Sequence, residues 1–149
     1  MLKIVIQIIS AGIVTFGFAL LFNIQGRNLI HTSVAGCLSW LCYLSCKNLG
    51  FSEEMSYFIS SVIIGLYSEI IAIKLNAPSN NILIAALIPL APGGGVYYTM
   101  QNLIYKNYLL SFENGIETFL LAGSMALGVV TAIAMIRSYK FIKSWRLYG

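Results

Sequence analysis

Five apolar stretches, each long enough to cross a bilayer, take up most of the chain. Their approximate ranges are 4–24, 29–49, 55–75, 81–105 and 116–136. A helix needs about 20 predominantly apolar residues to cross the hydrocarbon core. Only 9% of the residues are charged, whereas a soluble domain has about 25%. The sequence therefore predicts an all-α integral membrane protein in which residues 1–149 form one domain, a bundle of about five transmembrane helices.

The fourth stretch is interrupted near its middle by prolines and glycines. Pro89 and Pro92 each lack a backbone donor, and Gly93, Gly94 and Gly95 loosen the backbone that follows. Non-helical backbone within the membrane is tolerated only where it is buried in protein or lines a water-filled cavity. Transporters build substrate sites from such half-helices. The pattern predicts a helix broken at a functional site, and the alternative is a tight turn between two short apolar segments.

The basic residues predict the orientation in the membrane. With five crossings, Lys3, Lys47 and Lys106 share one side, and the other side holds Arg27, Lys74, Arg137, Lys140, Lys143 and Arg146. Because cytoplasmic segments carry the excess of Lys and Arg, we expect the basic tail 137–149 to lie on the cytoplasmic surface of the cell membrane. The N-terminus is then external. If the fourth stretch is re-entrant, the chain crosses four times and both termini are cytoplasmic. A polar linker, 106–115, is expected before the last crossing.

Glu69 is the strongest candidate for chemistry inside a span. It lies in the third stretch, five residues before Lys74. A charged side chain at mid-helix costs about 2.5–3.5 kcal/mol on insertion scales, and less near an interface. Glu69 must therefore face the bundle, find a partner or hold a proton. Two interpretations stay open: a functional carboxylate, or an interfacial residue paired with Lys74.

No pattern in the sequence points to catalysis, a cofactor or nucleic acid. Cys37, Cys42 and Cys46 share the second stretch with His31, which is a poor set of metal ligands. The glycine run lacks the Lys-Ser/Thr ending of a phosphate-binding loop. A net charge of +4 comes from scattered basic residues and a basic tail. We expect no enzyme, no cofactor, no metal site and no nucleic-acid partner.

Four motifs together resemble the threonine/serine exporter family. They are Gly17-Phe-Ala-Leu-Leu-Phe-Asn23, the segment from Gly36 to Trp40, Gly65-x-x-x-Glu69, and Ile88-Pro-Leu-Ala-Pro-Gly-Gly94 followed by Tyr97. The likeness covers approximately residues 4–136 and is closest to the small stand-alone subunit, which corresponds to the C-terminal membrane half of the fused exporters. The chain departs from the pattern at Gln25-Gly26, where a Pro-Arg-type turn is usual, and at Gly95, which extends the glycine pair.

The resemblance implies a subunit of a two-component exporter. Its cargo would be threonine- or serine-type amino acids, or a dicarboxylate such as succinate. A larger companion membrane protein would supply the other half, and neither half is expected to transport alone.

The broken stretch suggests how such a cargo would be held. A half-helix beginning after Gly95 would aim its free N–H groups and positive dipole end at a substrate carboxylate. Hydroxyl and amide groups nearby would add neutral hydrogen bonds, and Glu69 would bind an amino group or exchange a proton. The predicted substrate-binding residues are Asn23, Glu69, Pro89, Pro92, Gly93, Gly94, Gly95, Tyr97 and Thr99.

Two other classes remain open on the sequence. Small residues recur every fourth position at Ala11, Thr15 and Ala19, and again at Ser124, Gly128 and Ala132. Such faces pack helices closely, so the chain could be a non-transporting scaffold or assembly protein. A homo-oligomeric channel, which needs no companion, is the third class.

Overall fold

Helices form nearly all of the described chain. In the computed structural model, residues 2–75 and 78–148 are described, with side chains as far as residue 139. The elements are α1 (Leu2–Leu21), α2 (Arg27–Asn48), α3 (Glu53–Leu75), α4 (Ser79–Leu87), a 3₁₀ turn (Ile88–Leu90), α5 (Gly93–Ile104) and α6 (Tyr108–Tyr148). No strand occurs within these ranges. The predicted all-α membrane bundle is confirmed.

Four helices are long and apolar enough to cross a membrane, and a bent pair makes a fifth candidate. The four are α1, α2, α3 and the part of α6 from Tyr108 to Tyr139. The pair consists of Ser79–Leu90 and Gly93–Ile104, whose axes meet at 54°. The fourth apolar stretch is therefore broken where the prolines and glycines predicted a break.

Close packing of small residues joins α1 to α2. The two helices are antiparallel, because Gly12 lies beside Cys37 and Gly36 lies beside Thr15. A Cβ added at either glycine would overlap those side chains. Thr15 is fully buried and donates its hydroxyl to the Ala11 carbonyl at 2.8 Å. Its polar group is thus satisfied inside the helix, which lets this face pack without a hydrogen-bonding cost.

Helix α6 packs along α3 in the same direction. Gly128 lies against Ser61 and the Phe58 carbonyl, and Gly65 lies against Ala132. Helix α5 packs against the first part of α6 in the opposite direction, because Gly95 lies beside Thr118 and Thr99 lies beside Gly115. There, Ser111 Oγ donates to the Thr99 carbonyl at 2.8 Å.

Helix α4 fills the groove between α1, α2 and α3. Its buried residues are Ile82, Leu83, Ala85 and Ala86. It runs antiparallel to α3, from Ser79 beside Glu69 to the 3₁₀ turn, where Leu90 packs with Tyr43 and Tyr57.

These contacts define two ends of the bundle. The tail end holds the α1–α2 loop, the start of α4 and the last turns of α6. The opposite end holds the start of α1, the α2–α3 loop and the α5–α6 connection. We call it the hairpin end, after the hairpin that α5 and the first part of α6 form there. The segment from α4 to α5 leads from the tail end to the hairpin end, as a broken span does. Helix α1 begins and α6 ends at opposite ends of the bundle.

The predicted polar linker 106–115 is wrong, because α6 already begins at Tyr108. The polar side chains that suggested a linker bond to backbone carbonyls instead. Asn114 Nδ2 donates to the Leu110 carbonyl at 2.9 Å, and Ser111 donates across to α5. Only three residues separate α5 from α6, and Lys106 among them has a positive φ of 60°.

Helix α6 is much longer than a membrane crossing. Its 41 residues extend about 60 Å, whereas the hydrocarbon core is about 30 Å thick. Gly128 lies beside Ser61, and the two helices run in the same direction. Glu53 at the start of α3 precedes Ser61 by as many residues as Leu120 precedes Gly128, so Glu53 is level with Leu120. The earlier part of α6 therefore projects past the bundle together with α5, and we call this pair, residues 93–119, the α5–α6 hairpin. The predicted basic tail continues α6, and the side chains of Lys140, Lys143 and Arg146 lie outside the described residues.

Candidate functional site

The predicted site residues fall into two groups at different levels of the bundle. Asn23 and Glu69 lie at the tail end, while Pro89, Pro92 and the residues that follow lie toward the hairpin end. Helix α4 separates the groups, since Ser79 contacts Glu69 and Pro89 comes ten residues later. That separation is about 15 Å along a helix. The structure does not bring the nine predicted residues together, and one small amino acid cannot contact both groups in this conformation.

Side-chain amides dominate the tail-end group. A small cavity of about 110 Å³ is lined by Asn23, Ile24, Gln25, Asn28, Pro78, Asn81 and Ile82. Gln25 Nε2 donates to Asn23 Oδ1 at 2.8 Å, and Asn23 adopts a positive φ of 57°. Asparagine tolerates this left-handed conformation better than most residues. The motif that ends in Asn23 therefore forms a turn that places amides at the mouth of a polar cavity.

Glu69 is half-buried and does not itself line this cavity, but its partner Ser79 follows Pro78 of the lining. Ser79 Oγ, at the start of α4, donates to Glu69 Oε1 at 2.7 Å. This bond gives the carboxylate a partner, which was one of the three outcomes considered for it. Glu69 thereby ties the end of α3 to the start of the broken span.

The break itself contains a 3₁₀ turn and the start of α5. Ala91 N–H donates to the Ile88 carbonyl at 3.1 Å, and Gly93 N–H donates to the Ala91 carbonyl at 2.7 Å. Helix α5 begins at Gly93, with Pro92 preceding it, so the expectation of a half-helix beginning after Gly95 is wrong. Pro92 lacks an N–H and suits the start of a helix, whereas the glycines tolerate helical as well as open backbone.

The three glycines of the break differ in their surroundings. Gly93 and Gly94 have open space where a Cβ would stand, whereas a Cβ at Gly95 would overlap Thr118 of α6. None of the three has a positive φ. Gly95 is therefore a packing residue of the α5–α6 hairpin, and only Gly93 and Gly94 face space that a ligand or another protein can enter.

The residues after the glycines also separate into two kinds. Tyr97 is 61% exposed, and its ring lies edge-on to that of Tyr98 with centroids 5.4 Å apart. Thr99 Oγ1 donates to the Gly95 carbonyl at 2.7 Å, so its hydroxyl proton is already used within α5. Tyr97 remains accessible to a ligand or a partner, and Thr99 serves the hairpin.

A second cavity lies against the break. It measures about 260 Å³ and is lined by Ile6, Gln7, Ser10, Ala11, Val14, Trp40 and Pro89. Sequence reasoning missed Gln7 and Ser10, although two polar residues in an otherwise apolar first stretch were a usable signal. Trp40 Nε1 is buried and has no hydrogen-bond partner among the described residues.

Three buried hydroxyls on α3 were missed as well. Ser60, Ser61 and Ser68 have Oγ atoms without a hydrogen-bond partner in the described part of the chain. Buried polar groups are ordinarily satisfied. These three lie on the helix that connects the level of the break with Glu69.

The apolar helices form a multi-pass membrane bundle with one broken span. One cavity lies at the tail end and another lies beside the break. Many transporters are built from bundles of this kind. The family comparison makes the assignment specific. Residues 7–135 match the family described as Threonine/Serine exporter, ThrE, and the chain belongs to this family. The resemblance read from the four motifs is confirmed. Membership of an exporter family favours transport over catalysis.

Individual proteins also match the chain, and one of them illustrates the extent of the match. An uncharacterized protein of Haemophilus influenzae is 22% identical over 139 residues, which cover 91% of this chain and 47% of that protein. The chain thus spans about half the length of the curated relative it matches. No solved structure matches the chain.

Proposed function

We propose that the chain is one half of a two-component exporter for small carboxylate-bearing metabolites. The cargo is a threonine- or serine-type amino acid or a dicarboxylate such as succinate. The chain works in the cell membrane with a larger companion membrane protein. The observation that carries this proposal is membership of the threonine/serine exporter family over residues 7–135.

The need for a companion is supported by an uncovered surface. The α5–α6 hairpin projects beyond the bundle and contains no buried residue in α5. Its exposed large apolar residues are Val96, Tyr97, Tyr98, Met100, Leu103, Ile104, Tyr105, Tyr108, Leu109, Leu110, Phe112, Ile116 and Phe119. Within the described chain, α5 packs mainly against α6. Since the relative from Haemophilus influenzae is about twice as long as the matched region, we infer that helices of the companion cover this hairpin.

The two polar levels suggest a route for the cargo. Arg27, Lys74 and Arg137 lie at the tail end, and the sequence adds Lys140, Lys143 and Arg146 to that side against three lysines at the hairpin end, which supports a cytoplasmic tail end by the positive-inside rule. The cargo enters there, at the amide-lined cavity, where Glu69 binds its amino group or exchanges a proton. It then meets the break, where the first N–H groups of α5 attract its carboxylate. The two contacts are made in succession, because the levels are about 15 Å apart.

The scaffold alternative loses its main support in the structure. Small residues that suggested packing against partner helices are used within the chain, where Thr15 packs against Gly36 of α2, and Gly128 and Ala132 pack against α3. The homo-oligomeric channel differs from the proposal in needing no companion.

Efflux from cells tests the proposal against both alternatives. Cells preloaded with labelled threonine, serine or succinate would express the chain alone, a candidate companion alone or both, the candidate being a larger membrane protein from the same genome. We expect efflux above background only with both proteins. Efflux with the chain alone would establish the channel instead. No efflux in any combination, with both proteins present in the membrane, would leave the scaffold.

A further inference from the structure

The exposed surface of α1 has two flanks of different character. One flank is wholly apolar and consists of Val5, Ile9, Ile13 and Phe16. The other, which we call the polar flank, carries Gln7 and Ser10, and both are exposed. Helix α1 has 20 residues, so it extends about 30 Å and matches the thickness of the hydrocarbon core. Both polar side chains therefore lie within the membrane, where the apolar flank suits lipid and the polar flank does not.

Gln7 is the residue of the polar flank that most needs a partner. Its amide has two N–H donors and an acceptor oxygen, and neither it nor Ser10 forms a hydrogen bond within the described part of the chain. Thr15, which is buried on the same helix, satisfies its hydroxyl by donating to the Ala11 carbonyl at 2.8 Å. An amide that stays unpaired in hydrocarbon is costly. The Gln7 amide therefore requires a partner from outside the described bundle.

The polar flank has the spacing of a helix-packing surface. Gln7, Ser10 and Val14 follow one another at intervals of three and four residues, so they share one side of α1 over two turns. All three line the 260 Å³ cavity, together with Trp40 of α2 and Pro89 of the 3₁₀ turn. Residues at this spacing are the ones that a helix presents to another helix in a packed pair. The cavity is therefore an open groove along α1 that a further helix can fill with its side chains.

The size and charge of this groove also define its partner. Most sites for small molecules measure about 300–1,000 Å³, and the groove is smaller. No charged side chain lines it in the described structure, so a charged group buried there would find no counter-ion. Asparagine, glutamine, serine and threonine are side chains that hydrogen-bond across transmembrane helices without a charge. The groove thus favours an apolar helix that carries one such side chain.

The groove adjoins the surface that the companion is inferred to cover. Pro89 comes four residues before Gly93, at which α5 and the α5–α6 hairpin begin. The first half of α1 lies at the hairpin end as well. A helix seated between α1 and Pro89 would therefore continue toward the exposed apolar side chains of the hairpin. The relative from Haemophilus influenzae has about half of its length outside the matched region, which leaves room in that protein for such helices.

We propose that the polar flank of α1, from Gln7 to Val14, is the docking surface for a transmembrane helix of the companion. An uncharged side chain of that helix, of the asparagine, glutamine, serine or threonine type, pairs with the Gln7 amide. Apolar side chains of the same helix fill the groove against Trp40 and Pro89. This inference rests on the proposed two-component function and adds where, inside the membrane, the chain meets its partner.

Photo-crosslinking at matched positions of α1 tests the docking surface directly. Val14 and Phe16 are both 43% exposed, and Val14 lines the groove whereas Phe16 does not. Being two residues apart on a helix, their side chains point about 200° apart. A photo-reactive phenylalanine analogue would replace one or the other in the full chain, in cells that also express a tagged candidate companion. We expect a crosslink to the companion from position 14 and none from position 16.

The crosslinked product separates the possible occupants of the groove. A product with the mass of two copies of this chain would overturn the proposal in favour of a homo-oligomeric contact. No protein crosslink from position 14 would overturn it in favour of lipid. Equal crosslinking to the companion from both positions would overturn the distinction between the two flanks of α1.

Gln7→Leu tests the role of the amide. Leucine suits the membrane, so the chain should still insert, but the amount of companion recovered with the tagged chain should fall about threefold or more. Gln7→Asn should restore much of that recovery. Unchanged recovery with Gln7→Leu at normal protein level would overturn the pairing of the amide. A crosslink from position 14 in a wild-type pair that exports no cargo would refute the proposed function and uphold the docking surface, and export without that crosslink would do the reverse.

Discussion

Glu69 is the residue at which an ion-coupling role can be separated from an anchoring role. Glu69→Gln keeps an Oε1 acceptor for the Ser79 hydroxyl and removes the titrating group, so insertion should be unaffected or improved. If the carboxylate exchanges a proton or binds the amino group of the cargo, efflux per molecule of protein should fall about tenfold, which corresponds to about 1.4 kcal/mol. Transport and membrane protein level would be measured in the same cells.

Ser79→Ala is the matched control for this substitution. It removes the hydrogen bond and keeps the carboxylate, so we expect a loss of about 1 kcal/mol in stability with efflux retained. The opposite pattern, normal efflux in Glu69→Gln and impaired assembly in Ser79→Ala, would show that Glu69 only anchors α4 to α3.

Gly94 and Gly95 give a second test at the residue scale. A leucine at Gly94 would enter open space, whereas a leucine at Gly95 would overlap Thr118. We expect Gly94→Leu to accumulate normally and to lose export, because its side chain fills the space before α5. Gly95→Leu should destabilise the hairpin by about 1–3 kcal/mol, as overpacking does, and lower the protein level. Normal export by well-expressed Gly94→Leu would contradict the assignment of this space to cargo or companion.

The sequence could not distinguish these glycines. Three consecutive glycines predict a flexible break, and the break is present, but the approach of α6 at Thr118 depends on tertiary packing. Likewise, the spacing of Thr99 after the glycines suggested a substrate donor. Its bond to the Gly95 carbonyl became visible only once α5 was known to be helical from Gly93.

At the scale of elements, the bend between α4 and α5 depends on the prolines. Pro92→Ala restores a backbone donor and lets the two segments approach one continuous helix. We expect the variant to insert and to lower export less than Gly94→Leu does, since it leaves the space before α5 open. Protein level and efflux would be measured side by side for the two variants. A Pro92→Ala protein that is lost or misoriented would indicate that the break is only a turn between short segments.

The helices were predictable because apolar length decides them, but the α5–α6 hairpin was not. Asn107, Ser111, Glu113 and Asn114 give the segment before the last apolar stretch a polar character. In the structure, Ser111 and Asn114 bond to backbone carbonyls of α5 and α6. Polarity along the sequence therefore indicated a linker where packing against α5 produces a helix.

At the scale of the whole molecule, the ends of the bundle predict the topology. Helix α1 begins at the hairpin end and α6 runs to the tail end, so the termini should lie on opposite sides of the membrane. We expect a reporter fused after Gly149 to read cytoplasmic and one at Met1 to read external. A cytoplasmic signal at both termini would instead require a re-entrant segment in place of the broken span.

The division of the candidate site into two levels also appears only at this scale. Asn23, Glu69 and the Pro/Gly run were recognisable as unusual residues for a membrane span. Their positions along the sequence did not show that α4 holds Ser79 against Glu69 and carries the break toward the opposite end. Gln7 and Ser10 gained significance only because Pro89 lies across a cavity from them.

Reconstitution tests the central claim, that this chain is half of an exporter, most directly. The purified chain and its companion would be placed in liposomes separately and together, and the movement of labelled threonine would be followed against protein-free liposomes. The account predicts transport only by the pair, and its loss when the chain carries Gly94→Leu while the two proteins still copurify. Transport by the chain alone at the rate of the pair, or none by a copurifying wild-type pair offered threonine, serine and succinate, would contradict it.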